Sequence, residues 1–240
     1  MERQIALEII ATNATDARAA EEGGADRIEL VCAMGEGGLT PSVGVVERVC
    51  ACMSIPVYAM IRPHSRSFRY DADDALAMSR DIRAAREAGA AGVVLGALTK
   101  SGEVDVETTS ALADEALRLG LGITFHRAID ESADVFRAAE GVARIPGVVR
   151  ILTSGGMRTA PEAADALKRL NSFAEARGVG VMAGSGMTPD NLGAFVRATG
   201  ITEIHVGSAV RPEGSFRHAV DPALVAQAKR ELRNAAATLR

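Results

Sequence analysis

Short apolar runs rich in β-branched residues alternate along this chain with longer, alanine-rich segments in which charged residues recur at helical spacing. The apolar runs are 5–10, 27–31, 57–61, 92–95, 122–125, 148–152, 179–183 and 203–206, and each reads as a strand buried on both faces. Between them the pattern predicts helices, among them one ending at about Glu22 before Gly23-Gly24. Others run over 71–88, 105–119, 133–143, about 160–176, from about Thr188, and from about Pro222 to Leu239. Thr40-Pro41 reads as the N-cap and first-turn proline of the second helix.

Eight strand-then-helix units at a spacing of roughly 20 to 35 residues predict an α/β protein, a (β/α)₈ TIM barrel forming a single domain over residues 1–240. The competing arrangement is an open doubly wound sheet. Against it stands the first strand-to-helix turn, Ile10-Ala11-Thr12-Asn13-Ala14, which lacks the glycines that let a backbone approach a pyrophosphate, so no nucleotide cofactor is expected.

Composition narrows the picture. With 48% hydrophobic residues, a net charge of −4 and a pI near 5.7, the chain has a sizeable core and no basic field for nucleic acid or an anionic membrane. Its cysteines, Cys32, Cys50 and Cys52, form no Cys-x-x-Cys pair. No basic-then-apolar leader and no membrane-length apolar run is seen, so the expectation is free thiols in a reducing cytoplasm. The three lysines, Lys100, Lys168 and Lys229, all lie off the strands and their carboxyl ends, which removes Schiff-base chemistry.

In such a barrel the chemistry sits at the carboxyl ends of the strands. The polar residues there are Glu8, Glu29, Arg62, His126, Arg127, Thr153, Ser154 and His205. Charges on a buried strand must be paired, and Glu8, Glu29 and Arg62 on successive strands could satisfy one another as a salt-bridged plug. Alternatively, Glu29 and His126 serve as an acid/base pair while Arg62 and Arg127 bind a substrate anion. His205, earlier in its strand, reads as barrel interior. A second group, Gly184, Gly186, Gly207 and Ser208, follows the last two strands, where barrels seat phosphate on backbone N–H groups and a helix N-terminus; a plain tight turn is the other reading. For metal, Cys32 with Met34, Met60 and His64 could gather soft ligands around Cu(I), although such residues more often serve packing.

These motifs resemble the CutC family, named for copper homeostasis. The resemblance runs through Gly24-Ala25-Asp26-Arg27-Ile28-Glu29-Leu30, Glu36-Gly37-Gly38-Leu39-Thr40-Pro41-Ser42, Ile61-Arg62-Pro63, Thr124-Phe125-His126-Arg127-Ala128, Leu152-Thr153-Ser154-Gly155 and Glu203-Ile204-His205. It implies a cytoplasmic (β/α)₈ barrel, often a homo-oligomer, with a role in copper handling. At the positions where the family's first two strands usually end in cysteine, this chain has Ile10 and Val31, with Cys32 one place later. Two functions are therefore expected to compete. One is a copper homeostasis protein binding Cu(I) through Cys32. The other is a lyase, isomerase or hydrolase acting on a small phosphorylated or carboxylated metabolite.

Overall fold

The computed structural model describes residues 4–238. Eight parallel strands, β1 (Ala6–Ala11), β2 (Arg27–Leu30), β3 (Val57–Met60), β4 (Gly92–Leu95), β5 (Gly122–Phe125), β6 (Val148–Thr153), β7 (Gly180–Ala183) and β8 (Glu203–Val206), pair in chain order, and β8 closes on β1. The helices α1 (Ala14–Glu22), α2 (Val43–Cys50), α3 (Ala72–Glu87), α4 (Val106–Arg118), α5 (Val135–Val142), α6 (Ala164–Glu175), α7 (Pro189–Thr199) and α8 (Pro222–Ala236) follow the strands in turn. The expected (β/α)₈ barrel is thus the observed one, each strand within a residue of its expected bounds. No helix among the described residues is long and apolar enough to cross a membrane.

Helix ends differ where local hydrogen bonds override periodicity. The segment 133–143 yields only α5 because Asp134 caps it, its Oδ1 accepting from the N–H groups of Phe136 and Arg137, while Arg127–Glu131 forms a separate 3₁₀ turn. Before α6, Ala160–Ala163 is likewise 3₁₀, with Pro161 in its first turn. Thr40 does not cap α2; Ser42 occupies that position. The Thr40 hydroxyl instead accepts from the Arg62 N–H at 2.8 Å, which fastens the glycine-rich loop after β2 to the end of β3. Leu239, expected to end the last helix, lies outside the described residues, as do residues 1–3 and Arg240.

Inside the barrel the amino-terminal half is filled by Tyr58, with the guanidinium groups of Arg27 and Arg150 at 5.4 and 5.2 Å from its ring centre. Gly92 and Gly122 make room for that ring: a Cβ at either would meet it at 2.3 or 2.2 Å. Arg27 pairs with Glu8 and, at 2.6 Å, with Glu203, which also binds Arg150 at 2.9 Å. Glu8 is fully buried; burial alone would raise its pKa, but the Arg27 charge and a hydrogen bond from His205 hold it down to about 2. The plug is therefore real, but its cation is Arg27, not Arg62. The side chain of Arg62 points away from Glu8 and donates through Nη1 to the carbonyls of Glu36 and Gly38, both at 3.2 Å.

Removing Arg27 leaves the Glu8 carboxylate buried with one partner fewer. Arg27→Met should lower unfolding free energy by about 3–5 kcal/mol, measured by urea denaturation at pH 7. The loss should shrink as the pH falls from 4.5 towards 2, because Glu8 contributes stability above its unfolded value that disappears as its folded carboxylate is protonated.

Candidate functional site

At the carboxyl ends of the strands lies a cavity of about 330 Å³. Glu29 and Val31 enter from the β2 end, Met60 and Arg62 from β3, His126 and Arg127 from β5, and His205 from β8. The loop 185–188 after β7 and residues 207–209 after β8 complete the wall, with Phe216 from the segment before α8. That segment is anchored by a buried pair: Arg211 donates to Asp16 at 2.9 Å and to the Ile10 carbonyl at 3.0 Å, and its guanidinium lies 4.7 Å from the Phe216 ring centre.

His126 ends β5 and caps the 3₁₀ turn, its Nδ1 accepting from the Ala128 N–H at 3.3 Å. Its ring sits 4.9 Å from that of Phe68, and Gly96 on the neighbouring loop gives it room, since a Cβ there would meet Nδ1 at 2.9 Å. Burial, reinforced by the nearby Arg62 charge, pushes the imidazole pKa down to about 3. At neutral pH the ring is therefore uncharged; with Nδ1 accepting, its proton is on Nε2, which has no partner within the protein. Arg62 lies over Phe68 with 4.3 Å from guanidinium to ring centre, and its side chain also stands beside the Tyr70 hydroxyl.

Glu29 behaves oppositely. Burial raises its pKa to about 7, with the Glu8 charge adding to the rise and the His205, Arg27 and Arg127 charges resisting it. Its Oε2 is 3.8 Å from His205 Nε2, and its Oε1 has no partner. His205 is held from the other side by Glu8 Oε1 at 2.7 Å from Nδ1; burial lowers its pKa, but the charges of Glu29 and Glu8 more than reverse this and raise it. From its place in the sequence, His205 is expected more as barrel interior than as catalyst. It is interior, but it also reaches the cavity. The signal lay in its place as third residue of a four-residue strand, on the same face as Glu203.

Arg127 is tied by Nε to Asp130 at 2.8 Å and by Nη2 to the Ser154 hydroxyl at 3.1 Å. Asp130 in turn accepts from the N–H groups of Ser154 and Gly156 and from the Thr153 hydroxyl, joining the ends of β5 and β6. Of the glycine-rich group, Gly186, Gly207 and Ser208 line the cavity, whereas Gly184 packs behind it against Leu152 and His205. Ser185 adopts φ 75° and Gly186 φ 70°, a left-handed pair that is costly for serine and turns the loop onto the cavity.

The soft donors do not converge. The Cys32 thiol donates to the Thr40 carbonyl at 3.0 Å, is pushed to higher pKa by burial, and is not on the cavity wall. His64 is bound through Nε2 to Asp74 at 3.1 Å, leaving the thioethers of Met34 and Met60. Glu8, Glu29 and His205 do bring ligand atoms within 4.8 Å of one another, but this is a carboxylate and imidazole set, and both Glu8 oxygens are already engaged. Neither group fits Cu(I), which prefers thiolate and thioether ligands.

The profile of the CutC family matches residues 5–210. The chain belongs to the CutC family. A relative named family protein CutC from Rhizobium meliloti is 46% identical over 215 residues, covering 89% of this chain and 86% of that one. One from Vibrio campbellii is 44% identical over 207 residues, covering 86% and 83%. Among solved structures, the CutC protein of Streptococcus agalactiae, assigned to copper homeostasis, superposes with a TM-score of 0.78 at 30% identity over 85% of this chain and 98% of that one. Phosphoribosylanthranilate isomerase from Thermotoga maritima shares the fold, with a TM-score of 0.64 at 13% identity, over 96% and 100%.

The opposed titrations are directly measurable. Heteronuclear NMR of the histidine rings should show His126 as the neutral Nε2–H tautomer from pH 8 down to about 4, whereas an unfolded chain takes up that proton near 6.5. Because the unfolded state binds the proton first, His126 makes the fold lose stability as pH falls from 6.5 to about 3. An imidazolium signal for His126 at pH 6 would contradict this.

Proposed function

We propose that this chain is a (β/α)₈-barrel enzyme acting on a small phosphorylated or carboxylated metabolite at the carboxyl-end cavity. The reading is carried by two buried polar atoms, Glu29 Oε1 and His126 Nε2, that lack protein partners although their side chains line one cavity. Buried polar groups are nearly always satisfied, so two such atoms beside one space point to a polar ligand. Glu29, with a pKa near neutrality, serves as base or acid, and His126 as neutral hydrogen-bond donor. Arg62 and Arg127 supply positive charge, and the backbone at Gly186, Gly207 and Ser208 seats the anionic end. The cavity is at the lower end of the range for small-molecule sites.

The copper role attached to the Streptococcus agalactiae relative draws support here from Met34 and Met60 alone, both on the cavity wall. Titration of the reduced protein with Cu(I) against a competing chelator separates the two readings: Cys32→Ser should leave the competition curve unchanged.

For the enzyme reading, inorganic phosphate should bind in calorimetry, and a soaked crystal should show it beside Gly186 and Ser208. Arg127→Met should weaken the affinity about tenfold, the loss of roughly 1.4 kcal/mol that one partly exposed charge–anion contact supplies. No phosphate binding at tens of millimolar would sink the reading.

A further inference from the structure

The polar groups left free in the cavity select among reaction types. Attack by a nucleophile has no equipped group: the Ser154 hydroxyl donates to the Met157 carbonyl at 2.6 Å and the Ser185 hydroxyl to the Arg158 carbonyl at 2.9 Å. Among the described residues Ser208 has no hydrogen bond to a histidine or carboxylate that could take its proton. Lys229 is bound to Asp26 on the outer layer, and Lys100 and Lys168 do not line the cavity, so no imine can form there. What remains is the Glu29 carboxyl group on β2, with the His126 N–H and the Arg62 and Arg127 guanidinium groups.

We infer that the cavity catalyses proton transfer at the carbon next to the carbonyl of a small hydroxycarbonyl phosphate ester. The Glu29 carboxylate is the base, and the His126 Nε2–H with the Arg62 guanidinium binds the oxygen that becomes negative. The inference rests on the anion-site reading above. In the forward step the C–H bond breaks and its proton goes to Glu29. The C–H electron pair becomes the C=C bond of an enediolate, and the carbonyl π pair moves onto oxygen. In the return step the hydroxyl proton passes to that oxygen, the former hydroxyl carbon becomes the carbonyl, and Glu29 gives its proton to the former carbonyl carbon. The product is an isomer with the carbonyl moved by one carbon, so no oxidant, reductant or water is consumed.

The surroundings suit this reaction. An uncharged imidazole donates a hydrogen bond to an enediolate without first having to lose a charge, and N–H donors preset around the developing oxyanion act strongly in a dry site. Met60, Phe68, Leu152, Met187 and Phe216 give the cavity its apolar wall, which shields an enediolate from water. His205 is a positioning residue: clamped by Glu8 through Nδ1, it stands 3.8 Å from Glu29 Oε2 and lines the same cavity.

The test is calorimetry at pH 7, in two buffers of different ionisation enthalpy, with three probes: inorganic phosphate, glycerol 3-phosphate and 2-phosphoglycolate. The last carries a planar carboxylate resembling the enediolate. Phosphoglycolate should bind at least tenfold more tightly than glycerol 3-phosphate, with uptake of about half a proton, because its carboxylate cannot sit beside an ionised Glu29, which is about half protonated at this pH. In Glu29→Gln the proton uptake should vanish, and in His126→Phe the preference for phosphoglycolate should fall at least tenfold. Equal affinity of the two esters, with phosphate still bound, would overturn the inference and leave the anion site standing. Tighter phosphoglycolate binding without proton uptake would remove Glu29 as the base. Failure of all three probes to bind would overturn the anion-site reading and this inference together.

Discussion

The pairing of Glu8 with Arg27 in the barrel interior is the interaction on which the site above it depends. A lone carboxylate at that depth would cost several kcal/mol, and a lone guanidinium as much, yet together they let β1 and β2 carry charges through a dry core. Their register then matters. Glu8 lies opposite His205 across the β1–β8 seam, and its second oxygen takes the imidazole Nδ1. The far side of that ring faces Glu29, whose upper oxygen is left without a partner. A salt bridge in the barrel interior thus holds the ring that stands beside Glu29.

One physical cause produces two opposite chemical dispositions in the cavity. Removal from water penalises whichever protonation state carries charge, so it holds Glu29 in its acid form up to about 7 and His126 in its base form down to about 3. The neighbouring charges refine this: Glu8 adds to the rise at Glu29, and Arg62 adds to the fall at His126. At neutral pH the barrel therefore presents a carboxyl group poised between its forms beside an imidazole locked in one form and one tautomer.

The alternation of apolar runs and helical segments carried the fold, because a parallel strand buried on both faces cannot tolerate polar residues except where a partner or a ligand receives them. The same rule made Phe125-His126-Arg127 legible as the end of a strand at a site. Partner choice was not legible. Arg62 was expected to meet Glu8 and Glu29, but the loop of residues 33–39 brings the carbonyls of Glu36 and Gly38 to it. The link between Glu8 and His205 joins residues 197 positions apart and exists only because the barrel closes. Likewise, Cys32 looked like a soft ligand until the bridge between Cys32 and Leu39 turned its thiol to the Thr40 carbonyl.

Tyr58, seated between Gly92 and Gly122, gives the barrel a floor. With Arg27, Arg150 and Glu203 packed around that ring, side chains fill the amino-terminal half of the lumen, and the well of the cavity lies at the other end. Arg211, pinned to Asp16 and lying over Phe216, holds one side of that well in place, so loss of this single buried pair would reshape the wall from a distance.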